Sequence, residues 1–147
     1  MPTSTEDIIK SKLAAMGIYL EKLLPLVDRY KRGEISLNSD EVHVMERMFQ
    51  LAVDAAIDIN THIIVQKGLE SPDTYEGTFS ILGRNNIIPI SLGDKISGSV
   101  ALRNRMVHGY EKVQVKKMLN DIAGGIGQYI EYMKHISDFV EKFIAVN

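Results

Sequence analysis

Arg103, Asn104, His108 and Tyr110 fall within eight positions of one another in the stretch LRNRMVHGYEKV, residues 102–113. An imidazole titrates close to neutral pH and can take and return a proton during a reaction. A guanidinium stays charged at any working pH, and its planar fork of donors matches the paired oxygens of a carboxylate or a phosphate. Asn104 precedes His108 by four residues, the helical spacing at which one side chain can orient the other, or it can meet a phosphate oxygen itself. The same residue types also suit an ordinary helix end, where a histidine meets the negative pole of the helix and an arginine pairs with an acidic neighbour. On a regular helix at about 100° per residue, Arg103 and Tyr110 lie within about 20° of each other, while Arg103 and His108 are about 140° apart. Arg103 and His108 can therefore share one phosphate only if the helix ends near Gly109 or if a second subunit completes the cleft.

The elements that must position these residues read as helices. Apolar residues Ile9, Leu13, Met16, Leu20, Leu23, Leu24 and Val27 recur at three and four, which predicts a helix over about 4–31 with a capping box at Thr3 and Glu6 and a kink from Pro25. A second helix, capped by Asn38, carries Met45, Met48, Phe49, Ala52, Ala56, Ile59 and Ile63 on one face and runs to Gly68. A short helix is expected around 75–82, and a fourth from Pro89 to His108 with Gly109 as a left-handed cap. A long last helix follows from about Val113. No sustained period-two run and no Asn-Gly or Asp-Gly hairpin signal is present. The expectation is one all-α domain over 1–147, an antiparallel bundle of three long and two short helices.

Composition narrows the function classes. Charged residues make up 24% and apolar residues 45% of the 147-residue chain, proportions of a globular domain with no run of some eighteen apolar residues. The absence of cysteine excludes thiolate metal sites and a cysteine nucleophile. The start, MPTSTEDIIKSK, lacks the pattern of a secretory signal, so a cytoplasmic protein without membrane contact is expected. A net charge of -2 gives no general attraction for nucleic acid, so any such contact must rest on a local patch. Arg84, Lys95, Arg105, Lys112, Lys116 and Lys117 could line one beside the motif, with Arg105, Lys112 and Lys116 nearest it, or could simply be solvated.

The segment RNRMVHGY resembles the Arg, four residues, His, one residue, Tyr pattern of the HEPN superfamily, specifically its minimal HepT-like toxin branch. MERMFQLAVDAAIDINTHII is similar to that branch's second helix, and SPDTYEGTFSILGRNNIIP to its following loop and short helix. The resemblance implies a HEPN fold and a metal-independent endoribonuclease, active as a homodimer and needing no cofactor. It casts Arg103 and His108 as catalytic and implies the toxin of a type VII-like toxin–antitoxin pair, silenced when a nucleotidyltransferase antitoxin transfers AMP to Tyr110. An AMP group there would add bulk and negative charge where RNA phosphate should bind. The alternative is a non-catalytic helical module that recruits such a nucleotidyltransferase.

Asp54, Asp58 and His62 form an i, i+4, i+8 column on the second helix. They read as a polar stripe in which Asp58 could orient Arg103, and less readily as a metal site, since a further convergent ligand is missing. Small residues including Gly93, Gly98, Gly124, Gly125 and Gly127 would let helices four and five approach a neighbour closely. GGIG at 124–127 follows no strand, so it is no phosphate loop.

Overall fold

A computed structural model describes residues 4–109 and 114–146. It holds five helices and, among the described residues, no strand: α1 (Thr5–Lys31), α2 (Asp40–Gln66), α3 (Tyr75–Arg84), α4 (Ile90–His108) and α5 (Val115–Val146).

Helix ends follow local chemistry, with some shifts from the sequence expectation. Ser4 caps α1, its hydroxyl oxygen accepting the Asp7 amide at 3.1 Å, whereas Thr3 lies outside the described residues. Pro25 sits within α1, which continues past it. The residue before α2 is Ser39, not Asn38, and its hydroxyl donates to the Ser36 carbonyl at 2.6 Å instead of capping the helix. Thr74 caps α3 through the Gly77 amide at 3.1 Å. Gly109 does not adopt the left-handed helical cap: at φ 85° and ψ 160° it occupies a region open essentially to glycine alone.

Contacts along the chain fix the directions of the helices. The start of α1 meets the end of α2 through Thr5 and Gln66, and its end meets the start of α2 through Arg29 and Glu41, so the pair is antiparallel. Phe49 packs on Tyr129, while Tyr132 reaches Asn60, so α2 and α5 run parallel. Ser99 meets Tyr129 and Arg105 meets Asp121, so α4 runs against α5.

Helix α2 packs against all four others, and twelve of its residues are buried. By length and composition it could cross a bilayer, but 56% of its most apolar window is buried inside the bundle, as expected of a core helix. Phe49, Phe79, Tyr129 and Tyr132 form a chain of aromatic contacts with centroids 5.6 to 6.2 Å apart. Close helix approach is needed at two of the expected glycines. A Cβ on Gly93 would stand 3.0 Å from the Phe79 carbonyl oxygen, and one on Gly125 would stand 3.3 Å from the Phe49 ring, whereas Gly98, Gly124 and Gly127 face open space.

Candidate active site at the end of helix α4

Buried residues Leu92, Ile96, Val100, Leu102 and Met106 hold α4 on the bundle, which leaves Arg103 half-buried and turned toward α2. Its Nε donates to Asp54 Oδ1 at 2.6 Å and its Nη1 donates to Asn104 Oδ1 at 3.1 Å. Among the described residues no other acceptor engages the guanidinium. The Arg103 and Asp54 side chains are 23% and 33% exposed, which shields this pair more than a surface ion pair.

The structure shows the side-chain contacts of two residues expected to support the site. The carboxylate that holds Arg103 is Asp54, one turn before Asp58; Asp58 instead accepts from Lys12 Nζ at 3.1 Å. Asn104 contacts Arg103, not the imidazole, because its amide oxygen lies beside the guanidinium at the next position along the helix. The choice of Asp54 over Asp58 has a packing origin. The register of α4 against α2 decides which turn of the acidic column an arginine can reach, and that register is a packing property.

His108 is the last residue of α4 and is exposed, with the Gly109 amide donating to the Met106 carbonyl at 3.3 Å. Arg103 lines a cleft with Asp54, Ile57, Asp58, Thr61 and Tyr75, and His108 is not among that cleft's residues. Gly109 instead borders a separate hollow with Asn38, His43 and Val115. Tyr110 and Lys112 lie outside the described residues. Arg105 is exposed and stands 3.7 Å from Asp121, which also accepts from Lys117 at 3.1 Å. Lys116 is exposed as well, and Arg84 is engaged by Glu70. No group of three His, Asp or Glu side chains is placed to hold a metal ion among the described residues.

Sequence reasoning missed two buried hydroxyl contacts beneath the site. Ser99 and Tyr129 share a hydrogen bond of 2.5 Å, and burial pushes the Tyr129 phenol above its ordinary range. Tyr132 donates to Asn60 Oδ1 at 2.5 Å, and burial likewise pushes its phenol up, so both tyrosines stay neutral donors and acceptors. Helical spacing marks both tyrosines as core but says nothing of where their hydroxyls go.

A five-helix bundle that ends its fourth helix on an arginine, a histidine and a glycine turn is HEPN-like, and solved structures agree. A mutant of the MntA-HpeT toxin–antitoxin complex aligns with a TM-score of 0.79 at 24% identity, covering 90% of this chain and 98% of that one. The tri-AMPylated HEPN toxin of Shewanella oneidensis, in complex with its MNT antitoxin, aligns at 0.77 and 23%, covering 90% and 98%. At the level of sequence, the family model described as Ribonuclease HepT-like matches residues 16–136. The tRNA nuclease HepT of Aphanizomenon flos-aquae is 30% identical over 135 residues, covering 90% of each chain. The mRNA nuclease HepT of Shewanella oneidensis is 35% identical over 140 residues, covering 95% of this chain and 96% of the relative. This chain belongs to the HepT-like ribonuclease family.

Proposed function

We propose that this protein is the metal-independent endoribonuclease toxin of a toxin–antitoxin pair, working as a homodimer and silenced by AMP transfer to Tyr110. The observation that carries the reading is the half-buried Arg103, clamped by Asp54 and Asn104 five residues before an exposed His108 at a glycine-terminated helix end.

The chemistry follows from the groups. The ribose 2′-oxygen attacks the adjacent phosphorus, the bond to the 5′-oxygen breaks, and the products end in a 2′,3′-cyclic phosphate and a 5′-hydroxyl. His108 moves protons between the attacking and leaving oxygens, and the outer Nη groups of Arg103 meet the charge that builds on the phosphoryl oxygens. Asp54 is a positioning residue that keeps the guanidinium facing outward. Because Arg103 opens into the α2–α4 cleft and His108 lies on the tip of α4, a second copy that brings its own helix end alongside would complete the catalytic pair. Arg105 and Lys116 are exposed near that end and would contact RNA, as would Lys112.

Purified protein free of AMP should cleave RNA equally with and without EDTA. Arg103→Ala and His108→Ala should each abolish cleavage with helicity unchanged. Undiminished cleavage by either variant would refute the assignment, and a wild type that neither cuts RNA nor arrests growth would favour a non-catalytic module. For regulation, co-expression with a small nucleotidyltransferase should add AMP to the intact mass, and Tyr110→Phe should remove the adduct; an unchanged mass in the wild type would dismiss this role.

A further inference from the structure

The cleft that holds Arg103 has a volume of about 470 Å³ and is lined by Asp54, Ile57, Asp58, Thr61, Tyr75 and Arg103. Small-molecule sites run from roughly 300 to 1,000 Å³, so it has room for one nucleoside. Its charge decides which part of a nucleotide it suits. Asp54 pairs with Arg103 and Asp58 pairs with Lys12, so the charges around the cleft balance, and the carboxylate oxygens outside those two pairs offer acceptors to neutral N–H donors.

Tyr75 gives that cleft an aromatic wall. It is 55% exposed, a large ring left unburied at the first position of α3. Its backbone is nevertheless held from the core. Buried Tyr132 donates to Asn60 Oδ1 at 2.5 Å, Asn60 Nδ2 donates to Thr78 Oγ1 at 3.1 Å, and the Thr78 hydroxyl donates to the Tyr75 carbonyl at 2.7 Å. The preceding residue, Thr74, caps the same helix. A backbone fixed in this way holds the base of an exposed ring at the cleft edge, so that only the two side-chain torsions remain to be ordered on stacking.

We propose that this cleft is a nucleobase subsite, in which Tyr75 stacks on the unpaired base adjoining the scissile phosphate and the carboxylates of Asp54 and Asp58 accept hydrogen bonds from its amino or imino groups. The inference rests on the RNA-cleaving reading above and extends it to the substrate class, a single-stranded RNA segment with a base free to leave its stack. The phosphate of that nucleotide then lies outside the carboxylates, toward the outer edge of the Arg103 guanidinium.

The chain contains no tryptophan, so Tyr75→Trp in a His108→Ala background gives a single tryptophan at the proposed platform, which can be excited selectively over the tyrosines. Titration with a short single-stranded RNA should quench it, and an abasic ribose-phosphate chain of equal length should not. In the otherwise wild-type protein, Tyr75→Ala should raise KM for RNA about tenfold or more while kcat stays within about threefold, and Tyr75→Phe should restore most of the lost affinity, because stacking needs the ring and not the hydroxyl. Absence of quenching by RNA, equal quenching by the abasic chain, or an unchanged KM in Tyr75→Ala overturns the subsite. Loss of antitoxin association in Tyr75→Ala with RNA binding intact also overturns it, in favour of a protein contact. The fluorescence arm requires no turnover, so a protein that fails to cut RNA refutes the enzymatic reading while quenching by RNA, or its absence, still decides the subsite. Cleavage that persists without quenching refutes the subsite alone.

Discussion

Replacing Asp54 with Asn tests whether the α2 carboxylate holds the proposed catalytic arginine. The change keeps the side-chain volume and removes the charge that faces Arg103 Nε across 2.6 Å. Two unit charges at about 4 Å attract by roughly 4 kcal/mol at an effective dielectric of about 20, and the cost of partial desolvation offsets much of that. A hydrogen bond to a charged group has a net value of about 1.5–3 kcal/mol, and exposures of 23% and 33% place this pair toward the low end. Asp54→Asn should therefore lower stability by about 1–2 kcal/mol, a fall in Tm of roughly 3–8 °C for a domain of this size. A guanidinium freed to turn loses its fixed outward edge, so kcat should fall by about 10- to 100-fold while KM for RNA stays within about threefold. Chemical denaturation of Asp54→Asn, Arg103→Ala and the double variant closes a thermodynamic cycle whose coupling should be about 1–2 kcal/mol. The exposed pair partner Glu70→Gln serves as the control, with stability within about 0.5 kcal/mol and unchanged cleavage. Additive stabilities within about 0.3 kcal/mol, or a kcat unaffected in Asp54→Asn, would refute the clamp.

The core offers two further checks by chemical denaturation. Tyr132→Phe removes the donor to the fully buried Asn60 and should cost about 1–3 kcal/mol, because an amide oxygen is then left without its partner; a loss below about 0.5 kcal/mol would mean that the Asn60 oxygen finds another donor. Gly93→Ala should destabilise by about 1–3 kcal/mol, since its Cβ would stand 3.0 Å from a backbone oxygen on α3. Gly127→Ala, on an open face of α5, should stabilise by about 0.5–1 kcal/mol through helix propensity, and equal effects at the two glycines would contradict the packing described.

Helical periodicity carries most of the architecture. The apolar spacing from Ile9 to Val27 and from Met45 to Ile63 locates α1 and α2 to within a few residues, because long amphipathic stripes leave few alternatives. Caps were less legible. Thr3, Ser4, Asn38 and Ser39 all have capping side chains, and the path by which the chain enters each helix selects among them. The site was readable as a motif but not as a geometry. Asp54 and Asp58 are equivalent in sequence terms, one helical turn apart on the same stripe. Only the seating of α4, set by the contact of Gly93 with α3 and by buried residues such as Ile96 and Val100, brings Arg103 to the first of them. Tyr75 read merely as a helix start, since its place beside Arg103 depends on how α3 folds back over α2.

That geometry also bears on how an arginine already paired with a carboxylate can serve catalysis. Among the described residues, Asp54 accepts from Nε and Asn104 from Nη1, and a guanidinium held in this way still has Nη donors of a kind that suit two phosphoryl oxygens. The carboxylate reduces the attraction of Arg103 for a ground-state phosphate, and the chain's net charge of -2 adds no general pull on RNA. In the proposed function, affinity would come from elsewhere, from the exposed Arg105 and Lys116 and from stacking on Tyr75. In the proposed mechanism the arginine's interaction energy would be kept for the extra charge that appears only as the 2′-oxygen attacks, which is the condition for raising kcat in preference to lowering KM. The same division explains why a modification at Tyr110 would silence the enzyme without unfolding it. In the proposed regulation, the phosphate of an AMP group would compete with RNA phosphate for the Arg103 donors, while the Asp54 clamp and the core stay unchanged. Modified and unmodified protein should therefore melt within a few degrees of each other yet differ in cleavage by orders of magnitude.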